Sequence, residues 1–270
     1  MSQAGAMSQG LIISQDGPLL RITLDRPGKR NSLTDDMVAG ITAAVHQAGN
    51  DDSVRAVLLA GTGEHFCSGF DIVSRNSDQR KRPRAGSIQR RLPGQAHQLI
   101  PVLLETQVPI VAAVRGWVAG IGLAFALAAD VTVASTTATF WAPFSSRGFT
   151  PDSGVSWLLP RRVGEVRARQ MLLLGDQVDG ATAAHWGMID RCVPDGELEA
   201  EAEAMATRLA GSATVAIGLT KLLLHTSRDA TLEQHLRDEA FAMEVSSRSE
   251  DFREGLAAFA SKRPPRFTGR

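Results

Sequence analysis

The 270-residue sequence contains no tyrosine and only two cysteines, Cys67 and Cys192. The missing tyrosine excludes a phenolic acid or base, and the two distant cysteines match no metal or redox spacing, which favours a reduced cytoplasm. Basic and acidic residues both number 29, so net charge provides no general attraction to nucleic acid or an anionic membrane. No apolar run reaches the roughly 18 residues of a membrane helix. We therefore expect a cytoplasmic globular protein that binds neither nucleic acid nor a membrane.

Signals for metals and redox cofactors are also missing. The six histidines form no close ligand pair. The stretch "GIGLAF" lacks the third glycine of a dinucleotide fingerprint, so that interpretation fails at Phe125. One segment breaks the charge balance, because residues 75–91 carry seven basic side chains and one acid, Asp78. It can be a hydrated loop, a phosphate-attracting rim over a cleft or, less plausibly without aromatic residues, a nucleic-acid contact.

The pattern along the chain indicates an α/β protein. After a loose tail of ten residues, "LIISQDGPLLRITLD" predicts a hairpin around Asp-Gly. Ser32 or Thr34 can cap a helix that runs to residue 47. Strands predicted at 54–61, 109–114 and 131–135 alternate with helices near 95–105 and 122–129, which indicates a mostly parallel sheet. From residue 161 onward the pattern is nearly all helical. We expect a core at 11–195 and a helical region at 196–270.

Two glycine-containing turns follow predicted buried strands: "HFCSGFD" at 65–71 and "GWVAGIG" at 116–122. The carboxyl ends of parallel strands line the ligand crevice, and glycine lets backbone amides approach a ligand closely. Together the turns could present two amide donors to one oxygen, as in an oxyanion hole, with each donor worth about 3 kcal/mol in a transition state. Each turn taken alone is also compatible with plain loop geometry.

The motifs "LDRPGKRNSL", "FCSGFDI", "VRGWVAGIGLAFALAADVTVAS" and "GFTPDSGVSWLLPRRVG" resemble, in this order, the crotonase superfamily, which contains the enoyl-CoA hydratases and isomerases. The resemblance extends from about residue 11 to residue 270. The chain ending "RSEDFREGLAAFASKRPPRFTGR" and the motif around Asp152 are especially similar to phenylacetate-pathway epoxyphenylacetyl-CoA isomerases. The resemblance implies a spiral of ββα turns, followed by helices that pack trimers, often paired into hexamers.

The resemblance also implies a binding mode for a CoA thioester, with coenzyme A as part of the substrate and no separate cofactor. The thioester carbonyl is expected between the backbone N–H groups of Phe70 and Ile121. Phe259 and Lys262 are expected to contribute to the CoA site, from the same subunit or a neighbour. The remaining residues expected near the CoA moiety are Lys29, Arg30, Ser32, Ser68, Asp71, Ile72 and Gly120.

Two positions depart from the family pattern. The hydratases use two glutamates, and the positions that match them here are Ala124 and Phe144. Adding water across a double bond needs one group to activate the water and another to manage the α-carbon proton. Neither alanine nor phenylalanine can do this, so the usual hydration route is not expected.

Asp152 is the candidate catalytic carboxylate. One carboxylate is enough for a 1,3-proton shift: it removes the γ-proton, the oxyanion hole holds the dienolate, and the same group returns a proton to the α-carbon. This role favours a pKa above about 3.9, which desolvation by Trp141, Phe144, Phe149 or Trp157 could produce. The alternative is structural, because "TPDSG" before an apolar stretch is also a good helix N-terminus that an aspartate can cap. The two roles can coexist.

Two further residues invite a catalytic interpretation. His97 matches the position of a water-activating histidine in the related dehalogenases, but its surroundings also fit a helix surface. Cys67 lies beside the first glycine turn, where a small buried thiol is the simpler interpretation. The sequence therefore favours an isomerase of an unsaturated or ring-epoxidised acyl-CoA. The alternatives are a hydratase-like or hydrolytic relative, with Asp152 and His97 acting together, and a non-catalytic acyl-CoA-binding protein.

Overall fold

The computed structural model describes the backbone of residues 3–8 and, in full, residues 10–72, 84–94 and 96–270. The strands are β1 Gln3–Ser8, β2 Leu11–Asp16, β3 Leu19–Leu24, β4 Ala56–Gly61, β5 Ile110–Val114, β6 Trp117–Ala119, β7 Val131–Ser135, β8 Thr139–Trp141, β9 Gln177–Asp179 and β10 Arg191–Val193. The helices are α1 Asp35–Gly49, α2 Ser87–Arg91, α3 Leu99–Glu105, α4 Ile121–Ala128, α5 Val155–Arg169, α6 Gly180–His185, α7 Leu198–Ala210, α8 Thr214–Thr226, α9 Leu232–Ser246 and α10 Glu250–Ala260.

The strands form two sheets. The larger sheet has the order β1-β2-β3-β4-β5-β7-β10, antiparallel from β1 to β3 and parallel from β3 onward. The smaller sheet has the order β6-β8-β9. The predicted α/β class with a mostly parallel sheet is confirmed. Strand β5 is buried along its whole length and β4 along most of it, as expected of parallel strands covered on both faces.

The helices cover both faces of the large sheet. On one face α1, α3, α4 and α5 contribute to the main hydrophobic core. Helix α1 begins as its sequence predicts, because the hydroxyl of Thr34 accepts a hydrogen bond from the Met37 N–H at 3.2 Å. On the other face α7 packs on β4, β5 and β7 through Ala202, Ala206 and Ala210, whose small side chains at successive helical turns allow close approach.

The structure corrects two predictions about local order. The loose tail expected at the N-terminus is wrong for residues 3–8, because this backbone pairs with β2 as strand β1. The nearly all-helical pattern expected beyond residue 161 is interrupted by β9 and β10, which have three residues each and pair with β8 and β7. Strands this short are specified by distant pairing partners, so periodicity within their own sequence does not show them.

The C-terminal helices leave large apolar side chains exposed. They include Leu232, Leu236, Phe241, Met243, Leu256 and Phe259, each more than half exposed. The tail folds back on α10, where the buried Asp251 accepts hydrogen bonds from the backbone N–H groups of Thr268 and Gly269. The boundary expected between residues 195 and 196 stays a prediction.

In the part of the chain that the structure describes, no single helix is long and apolar enough to cross a membrane. Residues 195–210 and α8 are long and apolar enough only when they are counted as one segment. The axes of these two helices are bent by 106° relative to each other. Of the basic segment, residues 75–83 lie outside the described residues, so its predicted roles stay predictions; α2 at its end is mostly exposed.

Candidate active site

A pair of backbone hydrogen bonds holds the two glycine turns side by side. The N–H of Cys67 donates to the carbonyl oxygen of Trp117 at 2.9 Å, and the N–H of Ala119 donates to that of Cys67 at 2.9 Å. Cys67 and Val118 are thereby paired in a parallel bridge. Phe70 and Ile121 each lie three residues beyond this pair. The register therefore brings the two residues predicted as amide donors to the same end of the bridge.

Glycine is required where the two turns touch. Gly69 and Gly120 have φ angles of +109° and +55°, which residues with a side chain rarely adopt. A Cβ atom on Gly120 would lie 3.5 Å from the Cα of Gly69. A Cβ on Gly122 would lie 2.6 Å from the carbonyl oxygen of Cys67, closer than real atoms approach. The absence of side chains at these positions lets the first turn of α4 rest directly on the loop after β4.

Helix α4 begins at Ile121, so its N–H has no acceptor within the helix. Such first-turn amides point away from the helix and carry the positive end of its dipole. The geometry is that expected of one oxyanion donor, next to the turn that carries the other candidate, Phe70. The assignment of both amides to a thioester oxygen stays a prediction.

Two polar side chains stabilise this arrangement through hydrogen bonds. The sequence pattern did not single them out. Asn31 is fully buried and donates to the carbonyl oxygens of Thr62 and His65 at 2.9 and 2.7 Å. His65 in turn accepts the Trp117 N–H at its Nδ1, 3.2 Å away. Together they connect the loop after β3, the loop after β4 and the start of β6. The only sequence signal was their place within the "KRNSL" and "HFCSGFD" motifs.

Most of the residues predicted to contact CoA lie on the loop before α1 and on the glycine turns. We call this group of residues the rim. Ser68 N–H donates to the Arg30 carbonyl at 3.0 Å, and Asp71 N–H donates to the Leu33 carbonyl at 2.9 Å, which ties the loop before α1 to the first glycine turn. Lys29 and Arg30 are exposed, whereas Ser32 is buried, and their contacts with CoA stay a prediction. The predicted residues on this rim are Lys29, Arg30, Ser32, Ser68, Asp71, Ile72 and Gly120.

Arg26 is a further member of the rim that the sequence analysis missed. Its guanidinium donates to the Ser32 carbonyl at 2.6 Å and pairs with the Asp71 carboxylate at 3.0 Å. One side chain thus joins both loops of the rim through two of its nitrogens. A lone arginine after a strand gives no pattern, so only the folded structure reveals this role.

Phe259 and Lys262 lie in exposed positions at and just beyond the end of α10. Phe259, near the end of α10, is 86% exposed, and Lys262 lies just beyond the helix with a φ of +50°. Within the described ranges, neither side chain has a hydrogen bond or ion pair to the glycine turns. Their contribution to the CoA site, from the same subunit or a neighbour, stays a prediction.

The two positions matched to the hydratase glutamates are apolar and buried. Ala124 on α4 is fully buried, and Phe144 is 3% exposed. Phe144 packs edge to face against Phe149, with ring centroids 5.7 Å apart. These contacts fill the space with hydrocarbon, so neither position offers a group that could activate water.

Asp152 lies half-buried in the loop before α5. The N-cap residue of α5 is Gly154, in the left-handed region at φ +81°, two residues after Asp152. A capping contact from the Asp152 side chain stays a prediction, as does its catalytic role. Of the aromatic residues expected around Asp152, Trp141 is engaged elsewhere, because its indole N–H donates to the Gly175 carbonyl.

His97 lies next to Asp152 but contacts its backbone. The His97 Nε2 donates to the Asp152 carbonyl oxygen across 2.7 Å, and the ring is otherwise exposed. His97 is exposed in a short 3₁₀ turn that runs directly into α3, so its position is compatible with the expected helix surface. The contact positions the loop that carries Asp152. A role of His97 in activating water stays a prediction.

Cys67 is fully buried, and burial raises the pKa of its thiol to about 12. The thiolate, which is the nucleophilic form, is then negligible at neutral pH. The interpretation of Cys67 as a small buried packing residue is supported over that of a nucleophile.

A cavity of about 350 Å³ adjoins the loop that carries Asp152. Its walls come from three separate segments: α3 with the turn before it, the start of α5, and the end of α8. Apolar side chains dominate them, and the polar members are His97, Glu105, Ser153 and His225. Both α3 and α5 also pack against α4, the helix that begins at Ile121, but the residues that line the cavity include none from α4.

Residues 15–270 match the family described as enoyl-CoA hydratase/isomerase. The chain is 37% identical over 253 residues to the 1,2-epoxyphenylacetyl-CoA isomerase of Escherichia coli, covering 93% of this chain and 95% of that one. It is also 37% identical to a protein of Rhodobacter capsulatus named "Probable enoyl-CoA hydratase", over 92% and 94% of the two chains.

Solved structures give the same result. A protein from Mycobacterium abscessus, described as an enoyl-CoA hydratase/isomerase, superposes with a TM-score of 0.90 at 34% identity, over 96% of this chain and all of that one. An enoyl-CoA hydratase from Polaromonas gives a TM-score of 0.88 at 30% identity, over 95% and 99% of the two chains. The chain therefore has the crotonase fold and belongs to the enoyl-CoA hydratase/isomerase family, whose members act on CoA thioesters.

Proposed function

We propose that this protein isomerises a double bond, or a ring epoxide, in the acyl group of a CoA thioester, with Asp152 as the proton shuttle. The observation that carries the proposal is the distribution of carboxylates. Buried apolar side chains occupy positions 124 and 144, where the hydratases resembled here use glutamates, while Asp152 lies half-buried beside a cavity. One carboxylate suffices for a proton shift, and hydration by the family route requires two groups.

The reaction is a 1,3-proton transfer through a dienolate. In a 3-enoyl-CoA, the Asp152 carboxylate takes a proton from the α-carbon, and the electron pair of that C–H bond moves towards the thioester oxygen. The protonated Asp152 then delivers the proton to the γ-carbon, and the double bond ends between the α- and β-carbons. Atoms and charge balance without a further reactant, and the reverse reaction follows the same path.

The amides of Phe70 and Ile121 stabilise the dienolate oxygen in this proposal. The register of the two glycine turns and the dipole of α4 support this assignment. Removal of one such donor from an enzyme commonly costs about 3 kcal/mol of transition-state stabilisation. A base placed to transfer the proton contributes on the order of a hundred- to ten-thousand-fold in rate.

In this proposal the CoA moiety lies along the rim formed by Lys29, Arg30, Ser32 and Ser68. The chain assembles into trimers, or into hexamers of paired trimers. Exposed apolar side chains on α9 support an interface, because monomers rarely leave many large apolar groups in water. The exposure of Phe259 supports its contribution to the CoA site of a neighbouring subunit. Light scattering after gel filtration tests the assembly. The cytoplasmic location rests on the sequence alone.

A hydratase is the second candidate, because a relative of equal identity is named "Probable enoyl-CoA hydratase". Two assays separate the candidates. Conversion of 3-hexenoyl-CoA to the conjugated 2-enoyl thioester reports isomerisation, and addition of water to crotonyl-CoA reports hydration. An acyl-CoA-binding protein without activity would bind both thioesters and convert neither.

The test of the proposal is the variant Asp152→Asn. We expect its kcat for isomerisation to fall by roughly a hundredfold or more, with little change in KM, because the amide cannot accept the proton. Asp52→Asn makes the same chemical change at an exposed loop position and should leave kcat unchanged. Unaltered turnover in Asp152→Asn would contradict the assignment of the base.

A further inference from the structure

The C-terminal end of α4 is held by side chains from outside that helix. The last carbonyl groups of a helix have no hydrogen-bond partners within it. The hydroxyl of Thr132 donates to the carbonyl oxygen of Ala126 at 2.6 Å. The guanidinium of Arg162, on α5, donates to the carbonyl oxygens of Leu127 and Ala129 at 3.1 and 2.8 Å. Arg162 therefore caps the end of α4 that lies opposite the candidate oxyanion donor.

The contact made by Arg162 is directional. Both hydrogen bonds start at Nη2, whose two hydrogens lie in the plane of the guanidinium and point in fixed directions. A charged donor makes stronger hydrogen bonds than a neutral one, and a positive charge is favourable at a helix C-terminus. Apolar packing between α4 and α5 has no such direction.

Helix α5 connects Arg162 to the loop that carries Asp152. The helix begins at Val155, directly after that loop, and Arg162 lies about two turns further on. Gly164, at φ +77°, interrupts the helical geometry of α5. Arg162 therefore belongs to the segment before the break, which is the segment that continues from the Asp152 loop.

Helix α4 connects the same guanidinium to the Ile121 amide. All eight residues of α4 are buried, and at 1.5 Å per residue the helix is about 12 Å long. A short helix in a close-packed core moves as one unit, because its turns are joined by hydrogen bonds and its neighbours leave no room for bending. A shift of its last turn is therefore passed on to the N–H of Ile121.

The other polar anchors near this end of α4 do not involve α5. The Asp130 carboxylate accepts the Ile110 N–H and the Lys221 ammonium, both at 2.7 Å, which fixes the chain after α4 to the sheet and to α8. Thr132 lies on β7. Within the described part of the chain, the two bonds of Arg162 are the only hydrogen bonds between residues 121–129 and α5.

We infer that Arg162 is a positioning residue for the proposed proton transfer, because it fixes the Asp152 loop relative to the Ile121 amide. This inference rests on the proposed function. Negative charge develops on the thioester oxygen while the carboxylate takes the proton, so the base and the amide must be in place together. A misplacement of 1 Å can cost about a hundredfold in rate.

The test is Arg162→Met, which removes both hydrogen bonds and retains a long side chain. We expect kcat for isomerisation of 3-hexenoyl-CoA to fall at least about tenfold, with KM within about twofold, because the rim is untouched. The second readout is a single turnover with enzyme in excess, whose rate constant does not depend on the fraction of folded protein. This rate constant should fall as kcat does. Deuterium at the α-carbon should slow it further, which identifies proton transfer as the affected step.

Arg167→Met is the matched control on the same helix, beyond the break at Gly164. The half-buried Arg167 donates to the Trp186 carbonyl oxygen at 3.2 Å, and its guanidinium carbon lies 5.1 Å from the Trp186 ring centroid. Loss of these contacts should lower the Tm, as in Arg162→Met, and leave the single-turnover rate constant unchanged. Equal losses of this rate constant in both variants would overturn the inference.

Arg162→Lys retains the charge but not the planar fork, so it should fold and give a rate constant between those of the wild type and Arg162→Met. It decides the question if Arg162→Met does not fold. Wild-type rates in Arg162→Lys, or a slow turnover that is insensitive to deuterium, would overturn the inference.

Failure of the proposed function has a different signature. A wild type that does not isomerise 3-hexenoyl-CoA contradicts the proposed function, and this inference with it. Isomerisation by the wild type, with an unchanged rate constant in Arg162→Met, contradicts this inference alone.

Discussion

The two glycine turns and the cavity beside Asp152 are built in different ways. At the turns, backbone groups are paired with one another, glycines exclude side chains, and Asn31 meets three backbone groups. Around the cavity, side chains from three distant segments form the walls. Paired backbone groups favour one rigid arrangement of the turns, whereas the shape of the cavity depends on side chains from separate segments. We therefore expect the turns to be the more rigid of the two regions and the more sensitive to added side-chain atoms.

The largest expected effect follows from filling the contact between the turns. Alanine normally stabilises a helix by about 1 kcal/mol relative to glycine. In Gly122→Ala, however, the new Cβ would meet a backbone oxygen of Cys67 at 2.6 Å, and such overpacking costs about 1–3 kcal/mol. We expect a lower stability to denaturant and a loss of roughly a hundredfold in kcat/KM, because small displacements of catalytic groups are costly.

Gly196→Ala is the control, because a Cβ there meets nothing within 4 Å. Its stability and activity should match the wild type. Full activity in Gly122→Ala would contradict the view that the two glycine turns are held at a fixed spacing.

A smaller effect is expected at the rim. Arg26→Lys keeps the charge but cannot bridge the Ser32 carbonyl and the Asp71 carboxylate with the planar fork of a guanidinium. If the rim binds CoA as proposed, it does so in substrate and transition state alike, so KM for the CoA thioester should rise about tenfold with kcat nearly unchanged. Steady-state kinetics measure this. Arg169→Lys, at an exposed ion pair with Glu165, is the control and should change neither KM nor kcat. An equal rise in KM in Arg169→Lys would contradict a specific role of Arg26 in the rim.

The smallest effect concerns the thiol beneath the first turn. Because burial raises the pKa of Cys67 from 9.0 to about 12, the folded protein resists ionisation that the unfolded chain undergoes. The contribution of the neutral thiol to the free energy of unfolding is therefore fully present below pH 9 and is lost as the pH rises towards 12, by at most about 1.4 kcal/mol per pH unit. The stability difference between wild type and Cys67→Ala should therefore shrink from pH 8 to pH 10.5, as followed by urea unfolding.

Cys192→Ala provides the comparison for this pH series, because its thiol is only partly buried. Its stability difference from the wild type should vary less with pH. A constant difference for Cys67→Ala would mean that the thiol is not held in an apolar environment.

The sequence predicts the fold well because the relevant signals are local. The capping hydroxyl of Thr34, the Asp-Gly hairpin and the buried runs of β4 and β5 each act within a few residues, and all are found. The pairing of β9 and β10 depends on partners far along the chain, so their short segments carry no readable period. The exact start of α5 was not readable, because Gly154, at φ +81°, is the N-cap residue and lies two positions beyond Asp152.

In the candidate site, too, some features could be predicted from sequence motifs and others depend on contacts made only in the folded chain. Glycines in motifs mark the turns, so the sequence could indicate where amides lie close together. Arg26, Asn31 and His65 act on backbone oxygens or nitrogens brought near by folding, which no spacing along the chain encodes. The cavity unites residues 96–105, 153–158 and 225, which are brought together only in the folded chain.

The most direct test of the central claim is product analysis of the wild-type protein with 3-hexenoyl-CoA. A single carboxylate, with apolar residues at 124 and 144, predicts that 2-hexenoyl-CoA accumulates and that 3-hydroxyhexanoyl-CoA forms at least about a hundredfold more slowly, since no second group activates water. Accumulation of the 3-hydroxyacyl product at a rate comparable to isomerisation would contradict the account.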